Sequence, residues 1–90
     1  MRPRQAQIDE QLAKALSSPL RARALSLISA GVASPKRIAD SLGADVRTVA
    51  YHVRVLKRLG CIELVETVPR RGAVEHVYRL AERGTRAIGG

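Results

Sequence analysis

A short segment, residues 44–60, carries basic side chains at the spacing of one helix face. This basic stripe consists of Arg47, Tyr51, Arg54 and Arg58. Guanidinium groups form forked hydrogen bonds to phosphate oxygens and to the edge of guanine, and a phenol can reach either partner. Like charges one helical turn apart repel each other by about a few tenths of a kcal/mol, and Asp45 is the only acid in the segment. The stripe therefore indicates a surface that meets a polyanion.

The same segment has the signals of a helix that would position the stripe. Asp45 is a good N-cap residue, and Gly60 can end the helix. At about 100° per residue, Val49, Val53 and Leu56 lie on the side opposite the stripe. The pattern predicts one helix with a buried apolar face and an exposed basic face.

Charge and composition of the whole chain agree with an acidic partner. The chain has 90 residues, enough for one domain, and a net charge of +8 with a sequence pI of about 11.1. Such a balance favours nucleic acid or an anionic membrane surface. Cys61 is the single cysteine, and no apolar run is long enough for a membrane span or a signal peptide. These features predict a soluble, intracellular and cytoplasmic protein.

Four helices and a hairpin are predicted along the chain. An N-terminal helix covers residues 5–16, a second helix starts at Pro19, and a helix-turn-helix covers residues 34–59 with its turn at Gly43. Residues 62–68 and 74–80 form the strands of a hairpin, the loop between them is residues 69–72, and residues 81–90 are a short tail. The order α-α-α-α-β-β predicts a mainly α domain with a small β-hairpin, which is the winged helix-turn-helix architecture.

At this level the sequence resembles the ArsR-like winged helix-turn-helix transcriptional regulators. The resemblance is carried by three stretches, which are "LSSPLRARALSLI" at residues 16–28, "RIADSLGADVRTVAYHVRVLKRLGCI" at 37–62 and "RRGAVEHVYRL" at 70–80. It implies double-stranded DNA as the partner, a recognition helix in the major groove, regulation of transcription as a repressor, and a homodimer.

The resemblance also implies which side chains meet DNA. Those in the first turns of the recognition helix are Val46, Arg47, Thr48, Tyr51 and His52. Those expected on the phosphate backbone or, at the hairpin tip, in the minor groove are Ser34, Lys36, Arg37, Arg54, Arg58, Arg70 and Arg71. His52 lies at the margin of the buried face, so a half-buried hydrogen-bonded position and a phosphate contact both stay open. Ile8, Leu12 and Leu16 are the expected dimer contacts, since the C-terminal segment is short.

Other classes of site have little support in the sequence. There is no glycine-rich phosphate loop and no pair of carboxylates on one face, so no enzyme is expected. Glu63, Glu66 and Glu75 are interpreted as solvent-facing, and His76 as structural. Cys61 is interpreted as a small buried hydrophobe, and neither a metal nor a cofactor is expected. Two alternatives to specific regulation remain, a non-specific nucleic-acid or chromatin-type protein and a winged-helix protein-interaction module.

Overall fold

The predicted order of helices and strands is confirmed by a computed structural model, which describes residues 10–31 and 33–81. Helix α1 is described over residues 10–15. The elements that follow are helices α2 (Pro19–Ala30), α3 (Pro35–Leu42) and α4 (Val46–Arg58) and strands β1 (Ile62–Arg70) and β2 (Ala73–Leu80). Residues 5–9 of the predicted first helix and residues 82–90 of the predicted tail lie outside the described residues. No helix within the described residues has the length and apolar composition that crossing a membrane requires.

Local capping signals set where the helices begin. The Ser18 side chain accepts a hydrogen bond from the backbone N–H of Arg21, and Ser34 accepts one from that of Arg37. Asp45 does the same for helix α4, at 2.8 Å from the Arg47 nitrogen. Each cap satisfies a donor that has no partner within the helix, a contribution of about 1 kcal/mol. The turn between α3 and α4 depends on Gly43, whose φ of 62° lies in the left-handed region that glycine tolerates best.

The core is aliphatic and contains residues from helices and strands. Val49, Val53 and Leu56 of helix α4 are buried, as the sequence predicts, and they pack with Ile28 of α2 and Ile38 of α3. On helix α2 the buried leucine is Leu25, whereas Leu20 and Leu27, which face inward by periodicity, are half-buried. The core therefore holds α3 and α4 in a fixed relation and leaves the opposite face of α4 exposed.

The hairpin turns more tightly than the sequence suggests. The strands are antiparallel, and Pro69 pairs with Val74 and Arg70 with Ala73, so the turn is Arg71-Gly72 rather than residues 69–72. Proline is tolerated here because each strand of a two-stranded sheet has an open edge. Gly72 has φ 68°, which suits a two-residue turn. A bulge lies between Leu64 and Glu66. The hairpin over residues 62–80 is called the wing below.

The base of the wing is tied to the residues that precede helix α3. The Ala33 N–H donates to the Tyr78 carbonyl at 3.1 Å, and the Tyr78 N–H donates to the Ala33 carbonyl at 2.8 Å. The Ala81 N–H donates to the Cys61 carbonyl at 2.9 Å. The wing is therefore anchored to the helix-turn-helix through backbone hydrogen bonds.

Candidate nucleic-acid interface

The predicted basic stripe lies on the surface of helix α4. All four of its members are exposed, and half of the Tyr51 surface (51%) is accessible. The side chains of Arg47, Arg54 and Arg58 make no hydrogen bond or ion pair with other residues in the described part of the chain. Val46 and Thr48, in the first turn, are also exposed. The first turn and the stripe thus present cationic, polar and apolar groups together on one face.

A groove of about 780 Å³ lies between helices α3 and α4 and the wing. Its lining includes cations from all three elements, which are Lys36, Arg37, Arg54, Arg70 and Arg71. Its acids are Asp40 and Glu75. Lys36 and Asp40 form an exposed i, i+4 ion pair at 3.3 Å, which contributes little to stability. The groove brings together predicted contact residues that are far apart in the sequence.

Two interpretations at the rim of the groove are wrong. Ser34 is predicted as a phosphate contact, but it is fully buried at 0% exposure. Its hydroxyl caps helix α3 and donates to Glu75 Oε2 at 2.5 Å, so it is an internal group. Glu75 is predicted to face solvent, but only 10% of its side chain is exposed. The reason in both cases is that the wing folds back over the start of helix α3.

The Glu75 carboxylate contacts side chains from two elements, the wing and the start of helix α3. This set of contacts is called the Glu75 junction. Its Oε1 accepts hydrogen bonds from Arg70 Nε at 3.0 Å and Arg70 Nη2 at 2.8 Å. Its Oε2 lies 3.3 Å from Arg37 Nε in addition to the Ser34 hydroxyl. The Ser34 hydrogen bond, followed by the Arg70 hydrogen bond, lowers the pKa of the Glu75 carboxyl from its ordinary value. Sequence periodicity carries no signal for this junction, because Ser34 and Glu75 are 41 residues apart.

His52 belongs to a second junction, on the side of helix α4 next to helix α2. Its Nδ1 lies 3.4 Å from Nη1 of Arg21, and the Tyr51 ring packs edge-on with its centroid 5.2 Å away. Burial, and then the Arg21 charge, lowers the pKa of the His52 imidazole. Of the two interpretations left open for His52, the half-buried hydrogen-bonded one fits this geometry.

Arg21 is partly buried and contacts the end of helix α1. Its Nη2 donates to the Lys14 carbonyl at 2.9 Å and to Ser17 Oγ at 2.8 Å, and its Nε donates to the Ala15 carbonyl at 3.1 Å. These contacts, together with His52, are called the Arg21 junction. It ties the N-terminal helix to helix α4.

The remaining candidates have simple surroundings. His76, interpreted as structural, is exposed on strand β2 and lines the groove. Cys61 is half-buried, and burial raises the pKa of its thiol, so the reactive thiolate is disfavoured. No group of three metal-ligating side chains comes together within residues 10–31 and 33–81. Leu12 and Leu16, expected at a dimer contact, are 43% and 48% exposed, and Ile8 lies outside the described residues.

Several solved structures share this fold. Reduced HlyU from Vibrio cholerae has a TM-score of 0.74 and 17% identity, and covers 93% of this chain and 83% of its own. The transcriptional repressor BigR from Xylella fastidiosa has a TM-score of 0.72 and 22% identity over the same shares. A homodimeric winged helix-turn-helix DNA-binding domain of a possible ArsR-family regulator from Mycobacterium bovis has a TM-score of 0.64 and 26% identity, and covers 98% of this chain and 82% of its own.

At the level of sequence, a family model described as a helix-turn-helix domain matches residues 16–65, which is more than half of the chain. No curated protein sequence matches. The matched residues contain helices α2, α3 and α4 and the start of strand β1. Together with the wing and the structural likenesses, this match confirms the ArsR-like resemblance seen in the sequence. The chain belongs to the helix-turn-helix domain family, and its fold is the winged helix-turn-helix of ArsR-type regulators.

Proposed function

We propose that this protein binds double-stranded DNA sequence-specifically and regulates transcription. The observation that carries the proposal is the exposed basic face of helix α4, which continues into a groove with cations on three elements. A helix of this kind fits the DNA major groove, where side chains read the edges of bases. The wing would then lie on the backbone or in the adjacent minor groove.

The proposed contacts divide into reading and positioning groups. Arg47 and Thr48 lie in the first turn of helix α4, where an arginine can hydrogen-bond guanine and a threonine can meet a thymine methyl group. Val46 and Tyr51 are exposed close by and complete this surface. The proposed phosphate contacts are Lys36, Arg37, Arg54, Arg58, Arg70 and Arg71. Ser34 is not among them, because its hydroxyl is buried.

We propose that the protein represses transcription and that it acts in the cytoplasm. The Xylella fastidiosa relative is described as a transcriptional repressor, and it shares the fold over 93% of this chain. A domain of this size represses most simply by occupying DNA that the transcription machinery needs. Measuring transcription from a promoter that contains the bound site, with and without the protein, checks the direction of the effect.

The proposed DNA binding is tested by selecting bound duplexes from a random pool. We expect one sequence to be enriched and to outcompete a scrambled duplex of the same length. If the protein neutralises roughly 6–10 phosphates, its affinity should fall on the order of 10³–10⁵-fold between 50 and 200 mM salt. Equal binding to every duplex would favour the non-specific alternative. A DNA affinity that does not change with salt would contradict phosphate-led binding. A protein that binds no duplex but keeps a protein partner at high salt would favour the protein-interaction module.

A homodimer is the proposed form on DNA. The related Mycobacterium bovis domain is homodimeric, and Leu12 and Leu16 of this chain are exposed leucines on and beside helix α1. Burying a leucine side chain contributes about 1.5–3 kcal/mol, so these two with Ile8 would support a weak dimer. Two half-sites about one helical turn apart, 34–36 Å, would tighten it.

The dimer is tested with the double variant Leu12→Asp and Leu16→Asp. We expect this variant to sediment as a monomer and to lose cooperative binding to a palindromic site. Gln11→Asp, an exposed change on the same helix that also adds a negative charge, serves as the control and should keep the wild-type behaviour. A wild-type protein that sediments as a monomer and binds one half-site as tightly as two would contradict the dimer.

A further inference from the structure

Glu75 has an unusual place for an acid in a surface proposed to bind DNA. It lines the groove among cations, and a carboxylate in that position repels phosphate. It is nevertheless held by side chains from both walls, with Arg70 on the wing and Arg37 and Ser34 at the start of helix α3. Among the described residues, no other carboxylate forms a hydrogen bond or ion pair with a side chain outside its own hairpin or helix. This cross-element contact suggests a role that offsets the repulsion.

The donors left over on the two arginines show what that role is. A guanidinium has five N–H donors in a rigid fork. Glu75 engages Nε and Nη2 of Arg70 and lies closest to Nε of Arg37. Nη1 of Arg70 and both Nη atoms of Arg37 have no hydrogen-bond partner among the described residues. Each arginine is therefore held at one edge and keeps donors for a further oxygen ligand.

We propose that Glu75 is a positioning residue of the nucleic-acid interface, which holds Arg37 and Arg70 oriented for the same stretch of DNA backbone. The inference rests on the proposed DNA binding and adds to it the residue that fixes the wing relative to helix α3. Two flexible cations would otherwise lose rotamer freedom when they contact phosphate. The Glu75 junction removes part of that freedom before DNA arrives.

Removing the Glu75 charge should change DNA affinity in opposite directions, depending on whether Glu75 positions the arginines or only repels phosphate. If Glu75 acts only as a negative charge near DNA, then Glu75→Gln removes repulsion and tightens binding. If it positions the arginines, the same variant weakens binding although the protein becomes more positive. Glu63→Gln is the matched control, because Glu63 pairs with Arg79 within the same hairpin at 2.7 Å and does not line the groove.

The experiment measures affinity for the selected duplex as a function of salt, for the full chain in each form. We expect Glu75→Gln to weaken binding by about 3–10-fold, the effect of one impaired charge-assisted hydrogen bond. We also expect its salt slope to fall by about 1–2, one for each phosphate that the arginines no longer neutralise. Glu63→Gln should bind as tightly as wild type or more tightly. Thermal unfolding of both variants shows that folded protein is being compared at the assay temperature.

A second variant keeps the negative charge and changes only the length of the side chain. Glu75→Asp retains the carboxylate but is one methylene shorter, so it should weaken binding in the same way as Glu75→Gln. Wild-type affinity in Glu75→Asp, or equal or tighter binding with an unchanged slope in Glu75→Gln, would overturn the inference while the wild-type protein still binds DNA. A wild-type protein that binds no duplex would overturn the proposed function itself, and this inference with it.

Discussion

The Arg21 junction and the Glu75 junction each place one charged side chain between two parts of the chain, but they use different partners. Arg21 donates to two backbone carbonyls, those of Lys14 and Ala15 at the end of helix α1, in addition to its side-chain contacts with Ser17 and His52. The recorded partners of the Glu75 carboxylate are all side chains, and two of them are arginines on the rim of the groove. A charge that binds helix-end carbonyls supports the fold. A carboxylate shared with exposed arginines can in addition orient them, which is the role proposed for Glu75.

The physical chemistry of a helix end explains the Arg21 junction. The last carbonyls of a helix have no partner within it, and cationic side chains stabilise that end of the helix dipole. Arg21 supplies several donors there. Its contact with His52 then connects the N-terminal helix to helix α4. The Glu75 junction has no comparable backbone component beyond the cap that Ser34 makes.

Arg21→Ala should have the largest effect on stability and separates the two junctions most clearly. We expect the free energy of unfolding to fall by about 2–3 kcal/mol, because hydrogen bonds from a charged group are removed and carbonyls are left unsatisfied. Urea denaturation measures the change. Arg23→Ala, an exposed change of the same charge on helix α2, should stay within about 0.5 kcal/mol of wild type. If both variants lose the same stability, the Arg21 junction does not support the fold.

Arg47→Ala and Arg70→Ala should weaken DNA binding in different ways, which tests the surface side of the comparison. The Arg47 side chain forms no hydrogen bond or ion pair within the described residues, so we expect its removal to cost about 1–3 kcal/mol on the selected site and less on scrambled DNA. Arg70 is held by Glu75, and its removal should weaken both duplexes evenly. Competition binding with the two duplexes measures this. Equal weakening on both duplexes for Arg47→Ala would mean that Arg47 only contacts phosphate.

Acid should weaken the two junctions beginning at different pH values, which is the smallest of the expected effects. The pKa of His52 is lowered in the folded protein. The contribution of the neutral imidazole to the free energy of unfolding is therefore present above a pH of about 6.5, and it is lost as the pH falls through the pKa of the folded state. The pKa of Glu75 is also lowered, so the contribution of its carboxylate to the free energy of unfolding is present above a pH of about 4.5 and is lost at lower pH. Unfolding measured against pH should show both steps. His52→Gln should remove only the upper step and Glu75→Gln only the lower one, and a variant that removes both would contradict the assignment.

The helices could be predicted because their signals are local. Ser18, Ser34 and Asp45 are each followed closely by the N–H groups that they cap. The apolar repeat of Val49, Val53 and Leu56 also fixes which face of helix α4 is exposed. These features lie within a few turns of one helix, so periodicity and capping rules describe them well.

The junctions could not be predicted, because their partners are distant in the chain. Arg21 and His52 are 31 residues apart, and Ser34 and Glu75 are 41 apart. Glu75 lies within strand β2, and nothing in the neighbouring residues indicates that the wing folds over the start of helix α3. The two-residue turn at Arg71-Gly72 could not be predicted either, because proline is typical of loops although Pro69 pairs within strand β1.

The backbone pairing of Ala33 with Tyr78 limits how this chain can be divided for grafting. The family match ends at residue 65, yet Tyr78 lies on strand β2, well beyond that boundary. An excised fragment that stops at the boundary would lack both hydrogen bonds at Ala33, which is only 7% exposed, and would uncover Ile62, which is 3% exposed. Unpaired buried backbone groups are costly. A transplantable module therefore has to extend to at least Ala81, whose N–H closes the base of the hairpin on Cys61.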